Sequence, residues 1–138
     1  MRTTLIAFPI AAILCACASV DTQPMDDLSL EKRLQHTWSF HGAGANHTIV
    51  DGETTYLPGG VMNLFGHTRH NGTIHTDLGS GKWYVKNGYL YYTLMNSNFS
   101  REIPNGFTSA DKIVQVTETE STYISSHNGK TITEHRIR

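Results

Sequence analysis

Cysteine is nearly absent from this chain: it occurs only as Cys15 and Cys17, at the end of an apolar N-terminal stretch. Beyond Cys17 there is no thiol. No disulfide, thiolate nucleophile or cysteine-based zinc site can therefore be built there. Long apolar runs are missing too, since Leu5 to Leu14, interrupted by Pro9, is shorter than the roughly 20 residues a membrane-spanning helix needs. Basic charge is not in excess. Eleven Lys+Arg face twelve Asp+Glu, which excludes the electrostatic footprint of a nucleic-acid binder. Neither Gly-x-Ser-x-Gly nor His-Glu-x-x-His occurs, and the glycine-rich run His41 to Asn46 lacks the Lys-Ser/Thr of a phosphate-cradling loop. No catalytic residue is assigned, and the chain is not expected to be an enzyme.

The N-terminus has the parts of an export signal. Arg2 supplies positive charge, Leu5 to Leu14 the apolar segment, and small residues surround a cut site. The sequence Leu14-Cys15-Ala16-Cys17 resembles the lipobox of bacterial lipoproteins, with Leu14 and Ala16 at positions −3 and −1 of Cys17. Cys15 is preceded by bulky Leu14 and does not fit. The resemblance implies a signal peptide over 1–16 and lipid attachment at Cys17. Several acyl chains, at about 0.8 kcal/mol per buried CH₂, make a stable anchor. Ala18, where an inner-membrane lipoprotein would carry Asp, implies the outer membrane, with the domain in the periplasm or at the cell surface. Ordinary secretory cleavage after Ala16 or Ala18, and a buried N-terminal helix of a cytosolic protein, are the alternatives. Loss of Arg2 with the leader would leave ten Lys+Arg against twelve Asp+Glu, a formal charge of −2.

Residues 17–27 are polar, contain Pro24 and are expected to form a tether ahead of one domain over 28–138. Asp26 and Asp27 are placed to cap a helical turn or two over Leu28 to Leu34, with Leu28, Leu30 and Leu34 against the main fold. From Trp38 onward helical period gives way to Asn-Gly pairs at Asn71, Asn87, Asn105 and Asn128. Asn-Gly between alternating segments predicts hairpins, because a type I′ turn needs positive φ at both central residues. The turn at Asn87-Gly88 pairs Lys86 with Tyr89, Val85 with Leu90 and Trp83 with Tyr92. Trp83, Val85, Leu90, Tyr92 and Leu94 then face inward, and Tyr84, Lys86, Tyr89, Tyr91 and Thr93 outward. Strands are expected near 37–42, 46–56, 60–70, 73–79, 82–87, 89–95, 111–117, 121–127 and 130–137, with Gly52 in a turn between Asp51 and Glu53. This meander predicts an all-β fold: an antiparallel up-and-down barrel of about eight strands with a short N-terminal helix. A two-sheet β-sandwich is the alternative.

Two segments carry a family resemblance. Leu34-Gln35-His36-Thr37-Trp38 resembles the opening of lipocalin-like domains, with His36 where that family has Gly. The segment Gly79 to Leu90 is similar to the central Gly-x-Trp strand and Asn-Gly hairpin of small bacterial lipocalin-like lipoproteins. Lys112-Ile113-Val114, the acidic turn at Glu118 to Glu120, Tyr123-Ile124 and Asn128-Gly129 fit the family's ending. The resemblance implies a lipocalin-like barrel with an apolar interior and no shared reaction.

Candidate ligand-binding residues are the aromatic residues Trp38, Trp83, Tyr92, Phe99 and Phe107. The last two lie in a long connection over 96–110, where Phe99, Ile103 and Phe107 could plug the barrel or form a lid. His70 and His75 fall on one face of the Asn71-Gly72 hairpin with Asp77. They offer fewer than the four ligands a closed zinc site wants, so no metal and no cofactor are expected. The expected partners are the membrane, through acylated Cys17, and a small apolar or amphipathic ligand held in the barrel. The alternative is an envelope protein-interaction module, such as an assembly accessory, inhibitor or immunity protein. It would have a filled barrel and an outer contact surface of Tyr84, Tyr89 and Tyr91.

Overall fold

A computed structural model describes residues 25–43, 48–98 and 104–138. The leader, Cys17, the tether up to residue 24, Phe99 and Ile103 lie outside the described residues. After helix α1 (Asp27–Leu34) come eight strands: β1 (Thr37–Ala43), β2 (Ile49–Leu57), β3 (Val61–His70), β4 (Thr73–Lys86), β5 (Tyr89–Ser97), β6 (Thr108–Val116), β7 (Glu120–Ile124) and β8 (Thr131–Arg136). Each pairs antiparallel with the next, and β8 returns to β1, so the sheet closes into a barrel rather than splitting into a sandwich.

The expected hairpin signals act where both turn residues can take positive φ. Asn71 and Gly72 have φ of 47° and 78°, and Asn87 and Gly88 have 53° and 75°, as a type I′ turn requires. The β4–β5 register follows: Lys86 pairs with Tyr89, Val85 with Leu90 and Trp83 with Tyr92. Asn128-Gly129 behaves differently, because only Gly129 is in the left-handed region. Strands β7 and β8 stop at Ile124 and restart at Thr131. Ser125 N donates to Lys130 O at 2.9 Å and Gly129 N to Ser125 O at 2.9 Å, forming a longer connection.

Two glycine positions correct the expected strand map. The segments 73–79 and 82–87 are one strand, bent at Ser80/Gly81 where the register with β5 slips. A bulge lets a long strand curve around a barrel without ending. Gly52 lies inside β2, not in a turn, and pairs with Phe40 and with Gly66. A Cβ there would meet Phe65 O at 2.2 Å and Phe40 Cζ at 2.6 Å, so the ring of Phe40 occupies the side-chain space the glycine leaves. The 96–110 connection is also shorter than expected, since β5 runs to Ser97 and β6 begins at Thr108.

Helix α1 closes one end of the barrel. Asp26 caps it, accepting from Ser29 N at 3.0 Å. Asp27 accepts from Asn87 N at 2.6 Å and Gly88 N at 2.8 Å, and Glu31 from Val85 N at 3.2 Å, fixing the helix across the β4–β5 turn. Leu30 and Leu34, four residues apart and so on one helix face, are buried. Leu28 lies off that face and is 74% exposed, contrary to its expected packing. Beneath the helix Trp38 is fully buried and donates its indole N–H to Leu34 O at 2.9 Å. Trp83 donates to Leu57 O at 3.0 Å and Val61 O at 2.9 Å. The two indoles thus join the helix and the β2–β3 turn to the closed end.

Candidate ligand cavity

Alternation along the strands decides what the barrel encloses. Phe40, Met62, Leu64, Leu90, Leu94 and Ile132 point inward and bound a cavity of about 460 Å³. Tyr56 also lines it, with its ring on Trp83 at a centroid distance of 5.0 Å. The same alternation brings polar groups inside. Asp111 lies opposite Leu90, and Ser109 opposite Tyr92, so both β6 residues face the interior. Glu134 lies opposite Ser121 and likewise faces in. Asp111, Glu134, Tyr56, Tyr92 and Tyr123 all line the space. The apolar interior implied by the family resemblance is therefore corrected: the cavity is amphipathic, with two carboxyl groups and three phenols in its wall.

Those groups form two bonded sets. Tyr123 donates to Ser121 Oγ at 2.8 Å and to Glu134 Oε2 at 3.3 Å, and Ser121 donates to Glu134 Oε2 at 3.4 Å. Asp111 Oδ1 accepts from Ser109 Oγ at 2.6 Å and from the backbone N–H of Ser126 at 2.9 Å. Burial pushes Glu134 up to about 7 against its ordinary 4.5, and the charge of Asp111 adds to the rise. The bonds from Tyr123 and Ser121 pull the other way. Burial likewise raises Tyr56, Tyr92 and Tyr123, so their hydroxyls keep their protons.

Barrel closure is narrow beside the cavity. Among the described residues, β1 and β8 pair at Trp38–Arg136 and Ser39–His135, and just beyond β8 Thr37 N donates to Arg138 O at 2.8 Å and Ile137 N to Thr37 O at 2.8 Å. Further along, Phe40, His41 and Gly42 on one side and Thr131 to Glu134 on the other line the cavity without pairing. Exposed His41, Asn128 and Lys130 line the cavity on this side. A larger groove, about 930 Å³, lies around Phe65 and Leu78, but it is a solvent-facing surface feature beside the Arg138–Glu53 ion pair.

The residues singled out from sequence separate into several places. Tyr92 lines the cavity, and Phe107 packs against it at 6.1 Å while stacking on His127 at 4.6 Å. Trp38 and Trp83 belong to the closed end and do not line the cavity, and Phe99 is outside the described residues. His70 bonds to Thr48 Oγ1 at 3.2 Å, His75 is exposed, and buried Asp77 accepts from Thr68. Among the described residues no group of three or more His, Cys, Asp or Glu is placed to hold a metal. Tyr84 and Tyr91 stack on the outer face at 4.9 Å with 3° between their planes. Neither Asp111 nor Glu134 belongs to a sequence motif. The signal for Glu134 was its two-residue offset from Ile132, which puts it on the strand's apolar face.

No protein-family model matches the chain. No curated protein matches it either. Among solved structures, one described as "De novo design of a fluorescence-activating beta barrel" is similar at 14% identity and a TM-score of 0.49, covering 83% of this chain and 100% of that one.

Proposed function

We propose that this chain is an envelope-anchored lipoprotein whose barrel binds a small amphipathic ligand in its interior. The observation that carries the binding reading is the cavity of about 460 Å³, walled by apolar side chains with a few convergent polar groups. Small-molecule sites commonly occupy about 300–1,000 Å³ and have that composition. The anchoring rests on the lipobox-like sequence before Cys17. The role is binding, without a reaction or a cofactor. Full-length chain purified in mild detergent from a bacterial host and examined by native mass spectrometry is expected to carry a small molecule that leaves on unfolding. A ligand-free spectrum together with no uptake of a neutral apolar dye would contradict the proposal.

A second reading, an envelope protein-interaction module, is favoured by the stacked Tyr84–Tyr91 pair on the outer face, where Tyr84 is half exposed. Aromatic residues are enriched at protein interfaces.

A further inference from the structure

We infer that the ligand carries a cationic amine, which sits against Glu134 and Asp111 while an apolar body fills the space between Phe40, Leu64 and Leu94. The inference rests on the cavity-binding reading above and specifies its chemistry. Its first support is an imbalance of charge. Glu134 and Asp111 are 7% and 4% exposed and share one cavity. Among the described residues no Lys, Arg or His forms an ion pair with either. The basic side chains among the cavity's lining residues, Lys130 and His41, are exposed, and His41 pairs with Asp51. Burying carboxylates without a counter-charge is costly, and a bound cation removes that cost.

Unused hydrogen-bonding capacity is the second support. Both bonds to Glu134 go to Oε2, and Oε1 has no partner among the described residues. The hydroxyl of Tyr56, a residue only 3% exposed, has none either. No fully enclosed side-chain N or O among the described residues lacks a partner. These two atoms therefore face the cavity space rather than packed protein. A carboxylate oxygen is an acceptor, which an ammonium N–H can satisfy. Tyr56, Tyr92 and Tyr123 also line the cavity, and aromatic rings attract a desolvated cation. An anionic ligand would meet like charge from two walls.

The groups that face Glu134 also set the pH response. They are Tyr123 on β7, Asp111 on β6, Tyr92 on β5, Tyr56 on β2 and the exposed His41 and Lys130. The phenols remain protonated, so ionisation of Glu134 is what adds negative charge to the site as pH rises through neutrality.

Calorimetry with tryptamine, tryptophol and indole-3-propionate compares ammonium, hydroxyl and carboxylate on one apolar body. With the full chain in mild detergent at pH 8, tryptamine is expected to bind about ten-fold or more tighter than tryptophol, and the propionate more weakly still. Glu134→Gln is expected to cut that preference, read as the ratio of the two affinities, by about five-fold or more. Asp111→Asn provides the same comparison if the first variant does not fold. Equal affinity for tryptamine and tryptophol overturns the amine inference and leaves cavity binding intact. So does uptake of a neutral apolar dye with no binding of tryptamine. Exclusion of all three indoles and of the dye overturns both readings.

Discussion

Gly81→Ala is expected to destabilise the barrel by roughly 3 kcal/mol or more and to lower its melting temperature by about 10 °C or more. The added Cβ would lie 2.0 Å from Thr93 O and 2.9 Å from Thr93 C. Both are backbone atoms of the paired strand, so no side-chain rotation relieves the clash. The contact falls at the bulge that lets β4 continue from Thr73 to Lys86. Moving Thr93 would disturb the Gly81–Leu94 and Trp83–Tyr92 pairs on either side of it. Gly88→Ala makes the control, because an added Cβ there meets nothing within 4 Å and the cost comes only from its φ of 75°. Thermal melts of the two variants followed by circular dichroism would compare them. A Gly81 variant no less stable than the Gly88 variant would show that the bulge does not require glycine.

Glu134→Gln is expected to stabilise the ligand-free protein, and only above mildly acidic pH. Burial raises the folded carboxyl to about 7, while the unfolded chain releases its proton near 4.5. Between those values the folded state holds a proton that the unfolded state has lost, so stability falls as pH rises. Below about pH 4.5 Glu134 imposes no charge penalty. Above about 7 the penalty is complete, on the order of 3 kcal/mol. Glutamine keeps an acceptor for Tyr123 and Ser121 and has no charge to bury. The difference between variant and parent in denaturant unfolding should thus be near zero at pH 4 and reach about 3 kcal/mol by pH 8. A difference independent of pH would mean that Glu134 titrates as an ordinary surface carboxylate. A bound amine should shrink the difference, because the counter-charge stabilises the ionised parent and cannot do so in the variant.

Much of the barrel was legible because its turns and faces obey local rules. Asn87-Gly88 fixes a register, and the register fixes which of Trp83 to Leu94 face inward. Asp26 and Asp27 similarly announced the helix start. Legibility failed where glycine has more than one meaning. Gly79 to Gly81 resembles a strand break, yet close approach of Thr93 makes it a bend within a strand. Gly52 resembles a turn, yet Phe40 fills the place of its side chain. The candidate cavity was less legible because the two tryptophans lie at the closed end of the barrel. Trp38 and Trp83 are consumed by hydrogen bonds to Leu34, Leu57 and Val61. The acids that distinguish the cavity sit on β6 and β8, where charged residues resemble ordinary surface positions. Only the closed register, which joins strands from Thr37 to Arg136, shows that Asp111 and Glu134 share the interior.

Binding of an amine requires that Glu134 be a buried carboxyl facing an enterable cavity. Its titration can be followed directly by ¹³C NMR of the side-chain carboxyl carbon, assigned through Glu134→Gln, with and without saturating tryptamine. The expected midpoint is near pH 7 in the free protein, with a clear fall when the amine is bound. A midpoint at the ordinary glutamate value, unmoved by the amine, would contradict amine binding at Glu134.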